Sequence, residues 1–562
     1  MGEWMAMLRN TPWILGLATV LSSLSWAIWR RNRASRRLSD LLGAPACQVW
    51  LQTSFALICG GLVLTSRALL ERLLWFLLLL WCLARAVSAL GNLKKAPQGE
   101  ARVEHVETCA AKNRRGGSLY RVARWLVCVE PALVMIVAPF LLFPNRLTPW
   151  LLFLLALPWL ARKLVHGCFT APTPMDGPIL VLACMLPVSL YISLDVERSV
   201  PKLYGIVLGL AVFYAIVNHV RKPSQAWCVG LGIVALGMAV SLLALLGTEW
   251  RATGALSLPP AFGSVGRLLA DMGGSLSGGF NPNQVGAALT LLLPFATSLF
   301  VLGRSSVRGT VNDPLTPLGI LCRLSLSRGW IWLSLSLFSV ILMMATLALT
   351  GSRAAVLGTG VALFLLLSFW RVQSRLTLLV VMIAALSVIV CQGPQQMLHS
   401  MLVVGELGSI AGRTELWQRA LYMIQDFPYT GVGLNIYSLT ANSLYPLLTS
   451  SPEHVLRLTH AHNVFLQIAV DVGLPGLAAY LGILIAFGAA WGLCYPRLEH
   501  GPLRALTVGV LCSMVAYHVY GLFDCLTLGA KPGVLLWMMW GLMAALLNMC
   551  VPYVSVQSES RT

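Results

Sequence analysis

Three stretches of this chain hold the side chains best suited to chemistry on an anionic, activated substrate. They are Thr350-Gly351-Ser352-Arg353, Gly412-Arg413-Thr414-Glu415-Leu416-Trp417 and Thr459-His460-Ala461-His462-Asn463. In the first, a tight polar turn joins two apolar runs; Ser352 stands where it would cap the next helix, and Arg353 falls in that helix's first turn. A guanidinium beside free N-terminal amides makes a pocket for phosphate or diphosphate. The competing reading is an arginine snorkelling to the membrane surface. In the second stretch, Leu416, Trp417, Ala420, Leu421 and Ile424 recur at helical spacing. That predicts an amphipathic helix with Arg413 at its start and Phe427-Pro428 at its end. Arg413 either meets an anionic substrate or pairs with Glu415 or another loop carboxylate.

In the third stretch, His462 opens a short segment in which Asn463, Gln467 and Asp471 fall at i, i+4 and i+8, opposite Val464, Phe465, Ile468 and Val472. The pattern predicts an interfacial helix, separated from the following span by a break at Gly473 and Pro475. The helix dipole disfavours a charged imidazolium at that N-terminus, so His462 reads as a general base, with His460 and Asn463 as supporting neighbours. Histidines at i, i+2 also fit a structural hydrogen-bonded pair or a metal site. With no cysteine nearby the metal reading is the weakest, and neither a metal nor another cofactor is expected.

These residues need a scaffold, and composition dictates which kind. The chain has 562 residues, of which 57% are hydrophobic and 11% charged, and its mean hydropathy is +0.77. A globular domain is about 25% charged, so a soluble enzyme, a disordered chain and a disulfide scaffold are excluded. An all-α, polytopic integral membrane helix bundle remains. With about 20 apolar residues per crossing, roughly thirteen to fifteen segments qualify, from 12–29 to 533–551. Arg30, Arg31, Arg33, Arg36 and Arg37 follow the first span, the wrong charge order for a cleaved signal and the right one for a retained helix with its N-terminus outside. Alternation from there puts the basic loops 89–125 and 303–329 inside. Most of the net charge of +19 is thereby read as orientation against an acidic leaflet, with no nucleic-acid partner.

Segments 247–283 and 392–461 fall on the opposite, outer face. A long outer loop in a protein otherwise joined by short turns usually carries function. The expected organisation is a transmembrane extension with a basic cytoplasmic loop (1–125), a membrane core (126–391), a large extracytoplasmic catalytic loop (392–475) and C-terminal helices with a tail (476–562). The fourteen cysteines include no CxxC and read as small buried hydrophobes, Cys128 and Cys184 among them. Tyr422, Tyr429, Tyr437 and Tyr445 give the loop rings to stack on sugars. Asn281 and Pro282 cap and start the next span, while Arg251, Arg267 and Asp271 receive no role.

Nucleoside triphosphates are absent from an outer face, and the chain has no phosphate-binding GxxxxGK[ST] loop. The substrate must arrive activated, and two arginines with a base suit a polyprenyl-diphosphate-linked sugar. The arginines would neutralise the departing diphosphate while the histidine takes the proton of an acceptor hydroxyl attacking the anomeric carbon. Such a displacement needs no divalent metal and inverts the anomeric configuration.

His462-Asn463, nine residues, then Gly473-Leu474-Pro475-Gly476 resembles the signature of the O-antigen ligase and polymerase superfamily. Arg353 with Leu357 is similar to that family's Arg-x-x-x-Leu element, Gly412 to Trp417 to its second arginine site, and residues 279–283 to an upstream element. The resemblance runs over residues 126–551. It implies a core of twelve helices of the membrane glycosyltransferase type, to which three N-terminal helices are added. It also implies His462 as catalytic base and Arg353 and Arg413 as ligands of the donor diphosphate. The donor would be a polyprenyl-diphosphate-linked glycan and the acceptor a glycan, lipid or protein, at the extracytoplasmic side of the bacterial cytoplasmic (inner) membrane. One branch is labelled as bicarbonate transporters, and residues 170–218 are similar to members so named. A small-anion transporter is therefore the alternative, although Glu71, Glu130, His219, His518 and Asp524 lie mostly near span ends instead of at mid-membrane depth. A non-catalytic glycan-lipid assembly factor is the third reading, and ligase is not separated from polymerase.

Overall fold

The computed structural model describes residues 2–34, 38–66, 68–95, 118–248, 280–303, 329–369, 410–446, 460–498 and 501–551. Among these the regular structure is entirely helical. The N-terminal helices are α1 (Gly2–Ala34), the short α2 (Leu38–Gly43), α3 (Pro45–Thr65) and α4 (Leu69–Lys95). Then come α5 (Ser118–Leu142), α6 (Thr148–His166), α7 (Asp176–Tyr191), α8 (Val196–His219), α9 (Pro223–Gly247), α10 (Pro282–Leu302), α11 (Gly329–Leu349) and α12 (Arg353–Ser368). Two helices of the long loop follow, α13 (Ile410–Asp426) and α14 (Tyr437–Leu444), then α15 (Val464–Cys494), α16 (Pro502–Gly521) and α17 (Val534–Cys550). Among the described residues, eleven helices are long and apolar enough to cross a membrane, and three shorter apolar ones accompany them. The all-α, multi-pass expectation stands. The expected span at 376–391 and Arg251, Arg267 and Asp271 lie outside the described residues.

Helix α10 forms the centre: 78% of its apolar window is buried, against 17% for α4. Small residues let its neighbours approach, and α12 likewise packs on α16 so closely that a Cβ at Gly358 would come 2.4 Å from the Ala516 carbonyl oxygen. Helix α4 instead turns Leu70, Leu73, Leu77 and Trp81 outward, as lipid solvates such residues. The N-terminal addition is not simply appended. Helix α1 packs on α7 and α15, Ser25 Oγ accepts the Gly177 N–H at 2.9 Å, and Arg33 donates to Asn548 Oδ1 at 2.7 Å. Helices α3 and α4 are attached through α1.

Helix α15 is broken at Val472 and Gly473, the latter with φ +72°, at the place the Gly and Pro predict. Its first half differs from expectation. It is buried among α13, α7 and the 428–436 turns, not interfacial, and Gln467 and Asp471 are fully enclosed. Enclosure makes the polar stripe a hydrogen-bond chain: Ala461 N–H donates to Gln467 Oε1 at 2.7 Å, and Gln467 Nε2 donates to Asp471 Oδ1 at 2.8 Å.

Two further expectations change. Helix α5 starts at Ser118, so Glu130 lies midway along it. It is fully buried, accepting from Trp159 Nε1 at 3.0 Å and from Asn218 Nδ2 at 3.0 Å. Cys128 and Cys184 are exposed on the helix exterior, contrary to the buried reading, because lipid solvates a thiol about as readily as a core does. The cysteines of the described residues are free.

Candidate functional site

One end of the bundle gathers the starts of α10, α12 and α15 with the ends of α11 and α16. The cations Arg33, Arg497 and Arg504 occupy the other end, tied to Asn548, Leu493 and Tyr495.

Asn463 organises the histidine turn. It is the N-cap of α15, its Oδ1 accepting the N–H groups of Phe465 and Leu466 at 3.0 and 3.1 Å, which satisfies two free donors of the first turn. Its Nδ2 donates to the Leu522 carbonyl at 3.2 Å, tying the turn to the segment after α16. Immediately before the cap, His462 has φ +48°, a left-handed conformation that a non-glycine residue adopts at a cost.

That tie brings in Asp524, which the sequence reading left as a span-end charge. Its Oδ1 accepts His460 Nε2–H at 3.0 Å and the Cys525 N–H at 2.8 Å. His462 Nδ1 lies 3.0 Å from the same oxygen, a close charge contact that misses the alignment of a hydrogen bond. Burial by itself would raise the Asp524 carboxyl, but the His460 hydrogen bond and the closeness of both imidazoles outweigh it and hold the group well below the usual carboxylate range. Burial lowers His460, against the pull of Asp524. Of the two ring nitrogens of His462, Nδ1 is the one turned to Asp524, and Nε2 makes no hydrogen bond among the described contacts.

Of the two arginines, Arg413 is the one whose charge interacts with Asp524. Helix α13 ends just before Phe427-Pro428 as predicted, with Leu416, Ala420 and Leu421 buried. Pro428 accepts the Leu474 N–H at 2.7 Å, and the Val470 carbonyl accepts the Val432 N–H at 2.7 Å, so the end of α13 is clamped onto the break in α15. Gly473 is required there, since a Cβ would come 2.5 Å from the Tyr429 carbonyl oxygen. Arg413, at the start of α13, is half-buried and its Nε has no hydrogen-bond partner. Burial lowers its guanidinium from the ordinary value; the charge of Asp524 opposes the shift and that of Arg353 adds to it. Arg413 therefore lies within electrostatic reach of both Asp524 and Arg353. Glu415 contacts Arg419 at 3.8 Å, so the expected alternative of an Arg413–Glu415 pair is not what forms.

Arg353 is exposed at the start of α12. Ser352 occupies the cap position, but its hydroxyl makes no cap bond. It is buried where a Cβ on Gly286 of α10 would meet its own Cβ at 3.2 Å, so it seats the turn. Asn281 does cap α10, accepting the Asn283 N–H at 2.9 Å with Pro282 next, and the Asn283 carbonyl receives Tyr520 OH at 3.4 Å. Tyr437 is not available for sugar stacking, because it is buried with its hydroxyl donating to the Leu416 carbonyl at 2.8 Å.

His460, His462 and Asp524 each offer one ligand atom, all within 4.8 Å of one another. This donor set also fits a divalent cation, a fit the sequence reading could not see without Asp524.

Residues 338–481 match a family model described as O-antigen ligase, a narrower stretch than 126–551. It contains Arg353, Arg413 and His462 but not Asp524. No curated protein matches the chain.

Proposed function

We propose, from the premise that residues 338–481 place this chain in the O-antigen ligase superfamily, that it transfers a glycan from a polyprenyl-diphosphate carrier to an acceptor hydroxyl. Transfer takes place on the outer face of a bacterial cytoplasmic membrane. The observation that supports the reading is the His462 imidazole beside Asp524, whose charge reaches Arg413, with Arg353 in turn within electrostatic reach of Arg413.

In this mechanism His462 Nε2 takes the proton of the acceptor hydroxyl as its oxygen bonds to the anomeric carbon. The bond from that carbon to the diphosphate oxygen breaks, and the electron pair leaves with the diphosphate. Arg353 and Arg413 neutralise the charge that builds there, and Asp524 stabilises the imidazolium. A single displacement inverts the anomeric centre. The donor arrives activated and the arginines supply the positive charge, so no step runs through a metal.

The test is the glycan-transfer phenotype of His462→Ala and Arg353→Ala in the native host. Both are expected to accumulate lipid-linked glycan and to lose the transferred product. Transfer retained by both variants would sink the mechanism. Bicarbonate uptake by the purified protein in vesicles, unaffected by His462→Ala, would favour the transporter. A chelator is expected to leave transfer unchanged, whereas loss restored by a divalent cation would assign the His460, His462 and Asp524 cluster to a metal.

A further inference from the structure

An apolar groove of about 620 Å³ opens beside the histidine turn, walled by the outer end of α1, one face of α13 and α15 from its start to Leu481, on both sides of its break. Its polar rim includes Asn463, the neighbour of His462. We infer that this groove holds the first part of the donor's polyprenyl chain, with residues 10–15 of α1 as its outer wall. The inference rests on the transferase reading of the site and adds to it a role for helices outside the 338–481 match.

The argument is one of register. Arg413, Trp417, Leu421 and Ile424 stand at i, i+4, i+8 and i+11, a single face of α13, and the last three line the groove. Arg413 sits one turn, about 6 Å, from Trp417. A ligand lying along that face has its anionic group at Arg413 and its apolar part over Trp417, Leu421 and Ile424. In a polyprenyl diphosphate the phosphate is bonded directly to the first isoprenoid carbon, so the chain must start where the arginines end. In a glycolipid acceptor, sugars separate the attacking hydroxyl from the acyl chains, which removes them from this position. The volume suits a few isoprene units, and the rest of the chain stays in the bilayer.

The α1 wall is built to stay in place. Trp13 donates Nε1–H to Asn10 Oδ1 at 2.7 Å. Helix α3 comes so close behind it that a Cβ at Gly61 would lie 2.6 Å from the Trp13 nitrogen.

The test uses the full chain in nanodiscs and a polyprenyl diphosphate with a diazirine on its third isoprene. Cross-links are expected within residues 10–15 of α1 and 421–426 of α13. Cross-links elsewhere, or labelling abolished by excess phospholipid, would overturn the assignment. Two groove-filling variants from opposite walls, Leu15→Trp and Ile424→Trp, are expected to raise KM for a long-chain donor about tenfold while leaving a two-isoprene donor unchanged. An equal effect on both donors, or none on either, would also overturn it. If the wild-type protein transfers from neither donor yet the cross-links still map to the groove, the transferase reading fails and the lipid site stands.

Discussion

Two buried clusters in this molecule each join a carboxylate to histidine, and their difference separates structure from chemistry. At Glu130, both carboxylate oxygens accept from Asn218, and Trp159 adds a third donor. The ring nitrogens of His219 lie against the carbonyls of Ala215 and Val127, at 3.0 and 2.9 Å. Each polar group is satisfied, so the cluster ties α5, α6 and α8 together and has nothing left to offer a substrate. At Asp524 the carboxylate is equally well satisfied, but His462 keeps Nε2 open, Arg413 keeps an unpaired Nε, and the two imidazoles are about a fifth exposed. Charge is common to both clusters. Unused hydrogen-bonding capacity at a solvent-reachable surface belongs only to the second.

That contrast breaks most sharply at the histidines. His462→Ala is expected to lower the transfer rate about 10²- to 10⁴-fold with little change in melting temperature, and His219→Gln to do the reverse, as read by turnover and thermal unfolding of purified protein. Comparable rate losses in both would erase the distinction. The carboxylates follow with a smaller effect. Asp524→Asn should cost roughly 10²-fold in rate, since an amide can present an N–H to His462 and mis-set its tautomer. Glu130→Ala should instead cost about 1–3 kcal/mol of stability through the donors it strands, leaving KM unchanged. Gly473→Ala, at the break that clamps α13, should cost about 1–3 kcal/mol of strain and raise the donor KM, because it loosens Arg413 without touching a reacting group.

The smallest effect is on pH. Burial holds His460 below its ordinary value, so as pH falls through about 6.5 the unfolded chain takes up the proton before the folded one does. The stability present above that pH is lost below it. Asp524, held low by the imidazoles, adds a further loss only in much stronger acid. The wild-type melting temperature should fall between pH 7.5 and 5.5, and His460→Gln, which still donates to Asp524, should flatten the fall. An unchanged slope in that variant would show that another group controls it.

Hydropathy and spacing fix much of this molecule because they are local. The spans, the break at Gly473, the Asn281 cap and the amphipathic α13 follow from periods of 3.6 residues and from what Gly, Pro and Asn do to a backbone. The three motifs also suggested the proposed chemistry, since few arginines and histidines lie outside the basic clusters read as setting orientation. The faint signal for Asp524 was its being one of only 21 acidic residues, placed just beyond a span.

By itself, then, the sequence determined a multi-pass helical membrane protein and the residue types of its site. Tertiary structure alone decided that Asp524 meets His460 across 64 residues of chain. It also enclosed Gln467 and Asp471 beneath α13 and made α1 a wall of the neighbouring groove. The reason is physical: periodicity states which face of a helix is apolar, but which helix covers that face depends on small residues and caps far apart in the chain fitting one another.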